Sequence, residues 1–276
     1  MKRGIRTTKV QKFLVNRLVR RPRLLEYAQK LRFLLMRGPL QNQIVRFYQK
    51  TSKTEPIALS EPGLFPDLDV PRVVSELNEN GYSYAFQLPP EMIEIIMEHK
   101  SSLKSNHIRN LHKTLPVFDR ITRDPKIIEV VRRYIGAEPI LYATSLYYTG
   151  PESGNEGKTV EKNEKARIVH FDVPDFRHLN LFIYMTDVDE ESSPHILYAG
   201  THKHKTFRDL MTRWFTEKQI NERFGAQRKM MTGKAGTAFF EDTSLFHIQK
   251  VGKYGRVVGL ICYTLHRLPE LSRYFE

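Results

Sequence analysis

His170 and Asp172 stand two positions apart in the run Ile168 to Val173, between Val169, Phe171 and Val173. β-Branched and aromatic residues predict a short strand here, and on a strand alternate side chains share a face. His170 and Asp172 then point one way, and Val169, Phe171 and Val173 the other. An imidazole and a carboxylate side by side supply two of the three protein ligands of a facial iron(II) site. The third has to come from elsewhere in the chain, and histidine is the residue type to look for.

Ten histidines are available. His202 and His204 fall in Gly200-Thr-His-Lys-His204, which reads as a basic surface turn, and His266 lies near the end with no strand to follow it. His247 has the best setting, after the strand-and-turn run Gly236 to Phe246 and before the connection Val251-Gly-Lys-Tyr-Gly255. Arg256 opens the next strand. A guanidinium anchored there can grip a carboxylate through two parallel hydrogen bonds. Three protein ligands leave positions open on a metal for a bidentate co-substrate and dioxygen. Metal, open positions and a nearby cation describe a site for a dicarboxylate such as 2-oxoglutarate.

These residues need a scaffold, and the patterning predicts one rich in β-structure. Strands are expected at Tyr82–Gln87, Ile140–Tyr148, Leu179–Met185, His195–Tyr198, Thr237–Phe240 and Val257–Tyr263. Helices are expected over residues 41–49, 71–78 and 125–135, with another opened by Pro89-Pro90. Residues 206–224 read as a helical insertion holding the only tryptophan, Trp214. The polar run from Gly150 to Lys165 has no apolar period and directly precedes the His170 strand, so it reads as a mobile loop at the mouth of the site. Tyr142, Tyr148, Phe176 and Trp214 serve equally as a substrate pocket or as core. Short strands without βαβ alternation suggest an antiparallel sandwich or barrel with helices outside.

Charge is segregated. The net charge is +13. Of 44 Lys and Arg, 15 lie in residues 1–53 beside a single acid, Glu26; the other 29 are nearly matched by 30 acids. This arm has helical apolar spacing (Val10, Phe13, Leu14, Leu18; then Leu24, Tyr27, Leu31, Leu34, Leu35) but no uninterrupted apolar stretch for a signal peptide or membrane span. Basic amphipathic helices can lie on an anionic membrane, hold an acidic protein or contact phosphates. Equally, their apolar faces can dock on the core. A near-neutral body is no groove for a nucleic-acid backbone, so a nucleic-acid partner is not expected. Residues 54–70 are Pro-, Ser- and Glu-rich and read as a linker or irregular wrap. The single cysteine, Cys262, excludes an internal disulfide and cysteine-ligated clusters.

The segment from about Leu77 to Arg267 resembles the phytanoyl-CoA dioxygenase-like family of iron(II)/2-oxoglutarate oxygenases. The resemblance is carried by Leu77-Asn-Glu-Asn-Gly-Tyr-Ser-Tyr-Ala85, Arg123-Asp-Pro-Lys-Ile-Ile-Glu-Val-Val131 with Gly136, the His170–Asp172 pair, Ala199-Gly-Thr-His-Lys203, and Gly236-Thr-Ala-Phe-Phe240 with His247 and Arg256. It implies that His170, Asp172 and His247 bind iron(II), and that Arg256 binds the far carboxylate of 2-oxoglutarate. Where the family often has a Lys or Asn contact, this chain has Tyr147 and Thr149. The family's frequent serine two residues beyond the arginine is Val258 here, and the spacing from His247 to Arg256 is short.

The implied fold is a mainly β, double-stranded β-helix (a cupin-like jelly roll) with flanking helices at residues 71–276, after the basic helical arm 1–53 and linker 54–70. The implied activity uses dioxygen to hydroxylate a C–H bond of a small or lipid-linked substrate, releasing succinate and CO2. Because Asp172 is present, hydroxylation is favoured over halogenation. The competing reading is a non-catalytic jelly-roll binding protein acting through its arm. The expected location is cytoplasmic, with the arm docking the enzyme peripherally on an anionic membrane or an acidic partner.

Overall fold

A computed structural model describes Leu31, Met36 and residues 40–51, 54–103, 107–150, 168–212 and 214–266. The arm helices expected before residue 31 and the polar run after Gly150 lie outside the described residues.

Eleven strands among the described residues form two antiparallel sheets. The larger has the order β1 (Tyr82–Gln87), β9 (Thr237–Glu241), β5 (His178–Tyr184), β11 (Arg256–Thr264), β3 (Ile140–Thr149) and β2 (His107–Arg109). The smaller runs β7 (Trp214–Phe215), β4 (Val169–His170), β10 (His247–Gln249), β6 (His195–Tyr198) and β8 (Arg228–Met231). This is the expected double-stranded β-helix, with helices outside it.

Alternation along the strands sorts side chains into layers. On β5, Leu181 and Ile183 join the core shared with the helices, whereas Phe182 and Tyr184 turn inward to meet Leu197, Phe239 and Val258. A strand buried on both faces needs apolar residues at nearly every position, which explains the run Leu179-Asn-Leu-Phe-Ile-Tyr184. Behind the large sheet pack α2 (Val70–Asn80), α3 (Pro90–Leu103), α4 (Pro116–Thr122) and α5 (Pro125–Ile135). Helix α5 starts where Asp124 accepts hydrogen bonds from the amides of Lys126 (2.9 Å) and Ile127 (3.2 Å) and stops at Gly136, whose φ of 77° suits glycine. Its face of Ile127, Ile128, Val131 and Tyr134 is buried.

The outer face of the small sheet has its own cover. Val169, Phe171, Val173 and Phe246 pack with Leu210 of α6 (Phe207–Met211) and Ile220 of α7 (Glu217–Phe224). The expected insertion is therefore two short helices, with Trp214–Phe215 added between them as an edge strand.

For helix α1 (Gln41–Thr51) the two readings of the arm are distinguishable, and its apolar side docks. Val45 is buried, the ring centroids of Tyr48 and His266 lie 3.6 Å apart, and Gln49 Nε2 donates to Gly136 O at 2.8 Å. Residues 54–69 form no helix or strand and wrap the core. Leu64 N donates to Asp124 Oδ2 at 2.6 Å, and Phe65 stacks on Phe86.

Candidate metal centre

His170 ends β4 and His247 begins β10, and the two are paired directly across the antiparallel ladder. Residues opposite each other in such a ladder have side chains on one face, within reach of each other. Their ring centroids are 4.3 Å apart. The strand predicted to hold both His170 and Asp172 is only two residues long, so Asp172 lies beyond its end. The alternation nonetheless persists: Phe171 and Val173 go to the outer core, and Asp172 faces the histidines. Its amide donates to Thr243 O at 2.7 Å, which holds the extended segment in place.

Asp172 Oδ2 is 3.5 Å from His247 Nε2 and 3.9 Å from His170 Nε2, and one ligand atom from each residue lies within 4.8 Å of the others. Both imidazoles are set to ligate through Nε2. His170 Nδ1 donates to Ile168 O at 2.7 Å and His247 Nδ1 to Leu245 O at 3.0 Å. A carbonyl only accepts, so the proton sits on Nδ1 and the Nε2 lone pair faces the cluster. Burial disfavours the His247 imidazolium, but the hydrogen bond and charge of Asp172, together with Glu241, outweigh it and raise the pKa above its ordinary value. Two neutral nitrogens and one carboxylate on a single side are a donor set suited to a divalent metal with open positions.

The turn leading into His247 is braced from behind. Asp242 accepts from Tyr134 Oη at 2.8 Å and from Ser244 N at 2.9 Å, and His178 Nε2 lies 2.9 Å from Thr243 Oγ1.

Arg256 and Thr149 face each other across the β11–β3 ladder. Nε and Nη1 of Arg256 and Oγ1 of Thr149 are all buried with no hydrogen-bond partner. A buried cation without an anion is costly, so a carboxylate bound at this rung would satisfy groups that are otherwise left without hydrogen bonds. Tyr147, one inward position along β3, is packed with the same interior cluster. Burial pushes its pKa up to about 12 even though Arg256 pulls it down, so it is a neutral phenol at physiological pH. Nothing local marked Thr149 as Arg256's partner, because the pairing depends on register.

The remaining candidates separate. Trp214 pairs with His170 across β7–β4, its ring centroid 5.2 Å away, and so flanks the triad. Tyr148 and Phe176 pack into the helix-side core instead. His266 binds Asp175, with Nδ1 2.7 Å from Oδ1. Sequence reasoning passed over His195 and Glu241, both inside the sandwich with His195 Nε2 2.9 Å from Glu241 Oε2. A lone acid ending the apolar strand Thr-Ala-Phe-Phe-Glu241 was the available signal.

No family model matches the chain. It is 24% identical over 163 residues to ectoine dioxygenases of Bordetella parapertussis and Bordetella bronchiseptica, covering 52% of this chain and 52% of each relative. The chain therefore spans about half the length of the curated relatives it matches. Among solved structures it resembles EctD from S. alaskensis with 2-oxoglutarate and 5-hydroxyectoine (TM-score 0.52, 18% identity, 77% of this chain and 85% of that one). It also resembles SnoN, a non-heme α-ketoglutarate-dependent epimerase from nogalamycin biosynthesis (TM-score 0.53, 14% identity, 70% and 82%). At these identities the structural likeness carries the fold. That fold is the one implied by the motifs that resemble the phytanoyl-CoA dioxygenase-like family.

Proposed function

We propose that this protein is an iron(II)- and 2-oxoglutarate-dependent oxygenase that hydroxylates a C–H bond of a small organic substrate. The observation that carries this reading is the meeting of His170, Asp172 and His247 on the inward face of a sandwich that also holds the unpartnered Arg256 and Thr149. His170, Asp172 and His247 hold the metal, whose preference for mixed imidazole and carboxylate ligands suits iron(II). Bound iron(II) supplies the activation of dioxygen coupled to decarboxylation of 2-oxoglutarate to succinate and CO2.

The chain's own share is orientation and exclusion of water. Arg256 pairs with the distal carboxylate through its guanidinium, and Thr149 adds a hydroxyl donor to the same group. Tyr147, kept protonated by its surroundings, is a further phenol donor beside it. Phe182, Tyr184 and Phe239 give the interior its apolar, water-excluding walls. Trp214 forms a side wall next to His170 and is the residue we assign to substrate contact.

Docking of the arm on an anionic membrane or acidic protein, and a lipid-linked substrate, are separate proposals resting on the charge of residues 1–53. Among the described residues no helix is long and apolar enough to cross a membrane.

The test is succinate release from 2-oxoglutarate, dependent on iron(II) and stimulated by members of a panel of small polar and lipid-linked substrates, with Asp172→Ala as control. Absence of iron-dependent succinate under every condition would leave a binding protein as the reading.

A further inference from the structure

Midway along β3 and β11 the inward side chains are wetter than the outward ones, the reverse of a closed sandwich. Outward-facing Thr144, Leu146 and Ile261 are buried on the helix side, whereas inward-facing Ser145, Leu260 and Cys262 are partly exposed. Solvent therefore enters between the sheets at this place. Strand register fixes what lies there, since cross-strand partners share a face. Phe182, Leu260, Ser145 and Arg109 form one rung across β5, β11, β3 and β2. Its Phe182 end reaches the triad: Phe182 stacks on His195, with centroids 5.7 Å apart, and His195 lies 5.3 Å from His247. Its other end is Arg109, which faces inward because its neighbour Ile108 is buried in the helix-side core. His107, two positions before it, sets its ring 5.9 Å from that of Tyr147.

We propose that this floor is the substrate subsite and takes a small molecule bearing a carboxylate or phosphate, with Arg109 paired to the anion and Ser145 and Asn180 hydrogen-bonded to its polar body. This names the substrate class of the oxygenase proposed above and rests on that reading. Among the described residues, the side chains of Arg109, Ser145 and Asn180 make no hydrogen bond or ion pair. Polar groups between packed sheets are normally partnered, so these three are available to a ligand, with Leu260 and Phe182 as apolar walls. Arg109 is a cation at any physiological pH. It also stands in an acid-free run, for His99 to Phe118 holds four Lys or Arg and no Asp or Glu. Its rung lies four residues along β3 from Thr149 and Arg256, about 14 Å in an extended chain. A five-carbon dicarboxylate does not span that distance, so Arg109 is no second clamp for the co-substrate. An anion held at the β2 end lays the rest of the molecule along the rung toward the triad, which fixes the C–H bond presented there.

The experiment uses full-length protein loaded with manganese(II) and 2-oxoglutarate and kept free of dioxygen. Calorimetry measures binding of a panel of small hydroxy acids, amino acids and sugar phosphates, each beside its neutral counterpart, the amide or the unphosphorylated sugar. Acids and phosphates in the panel separate the two anions. At least one anion is expected to bind, and Arg109→Gln should weaken it by about tenfold to a hundredfold, the scale of a hydrogen bond to a charged group. That variant should bind the anion no better than its neutral counterpart, while its manganese(II) and 2-oxoglutarate affinities stay within about twofold of wild type. Arg109→Lys should recover part of the loss, and Ser145→Ala and Asn180→Ala should weaken anion and counterpart alike. Arg109 is exposed, so its variants should melt with wild type. Equal binding of every anion and its counterpart, wild-type affinity in Arg109→Gln, or no binding by any panel member overturns the subsite. Iron(II)-dependent succinate release with the same panel tests the other reading. Binding that requires Arg109 but never stimulates succinate release upholds the anion site and removes the oxygenase.

Discussion

The two sheets divide the work unequally. The small sheet brings in two of the three residues proposed to hold the metal, His170 and His247, on strands of two and three residues, and Asp172 follows just past the end of β4. The large sheet carries the proposed clamp, Arg256 and Thr149 facing each other at the terminal rung between strands of nine and ten residues. Short strands leave few ladder hydrogen bonds to hold a ligand. The small sheet relies on side-chain and carbonyl anchors instead: Ile168 O and Leu245 O on the two imidazoles, and Thr243 O on the Asp172 amide. If the proposed roles hold, metal and co-substrate binding should be separable, because each rests on its own sheet.

The largest effect should come from breaking the metal half. Asp172→Ala is expected to weaken metal binding by more than about a hundredfold and abolish succinate release, with melting of the metal-free protein little changed. Loss of a coordinating ligand exceeds the ten- to hundredfold seen for supporting residues, and metal titration beside calorimetry checks it. Arg256→Met attacks the other half. It should leave manganese(II) affinity intact and weaken 2-oxoglutarate by about a hundredfold to a thousandfold, the scale of removing one partner of a buried ion pair. Loss of both ligands together in that variant would break the separation of the sheets. Thr149→Val should do the same more mildly, about tenfold for one hydrogen bond to a charged group, and Thr149→Ser should restore it.

Acidity should touch the metal half alone. The His247 pKa is raised in the metal-free fold, with burial opposing and Asp172 driving the rise. A raised imidazole adds stability that is full below the unfolded pKa and is lost as pH rises through the folded one. Metal binding must displace that proton, so manganese(II) affinity should fall about tenfold per pH unit below the folded pKa. The metal-free protein should meanwhile gain stability, and titrations at several pH values with parallel melting curves will show whether the two trends oppose. The smallest effect on either ligand belongs behind the large sheet. Ile128→Ala, fully buried in α5, should cost about 2–5 kcal/mol of stability while leaving both affinities within about twofold, as chemical denaturation and the same titrations would establish.

Local pattern carried a good deal of this. The spacing of His170 and Asp172 survives although the strand between them stops early, because an extended chain keeps alternating even without a ladder. Helix α5 was legible from Asp124, its apolar face and Gly136, and β5 from its unbroken apolar run. β7, β8 and β10, of two to four residues, were not, since so short a segment has no period to detect. Helix α4 was missed as well, although Pro116 stands at its first turn.

What the amino-acid order alone determined is the set of chemical groups and the face each takes on its own element: imidazole and carboxylate alternating inward, an arginine at a strand start, a charged arm set apart from a neutral body. What only the tertiary structure decided is which groups meet. Thr149 faces Arg256 across 106 intervening positions, Glu241 lies near His247 and pairs with His195, and Trp214 stands beside His170. Those meetings depend on strand register between distant segments, and register is set by turns and by packing of the two inner faces, quantities that no local window of sequence contains.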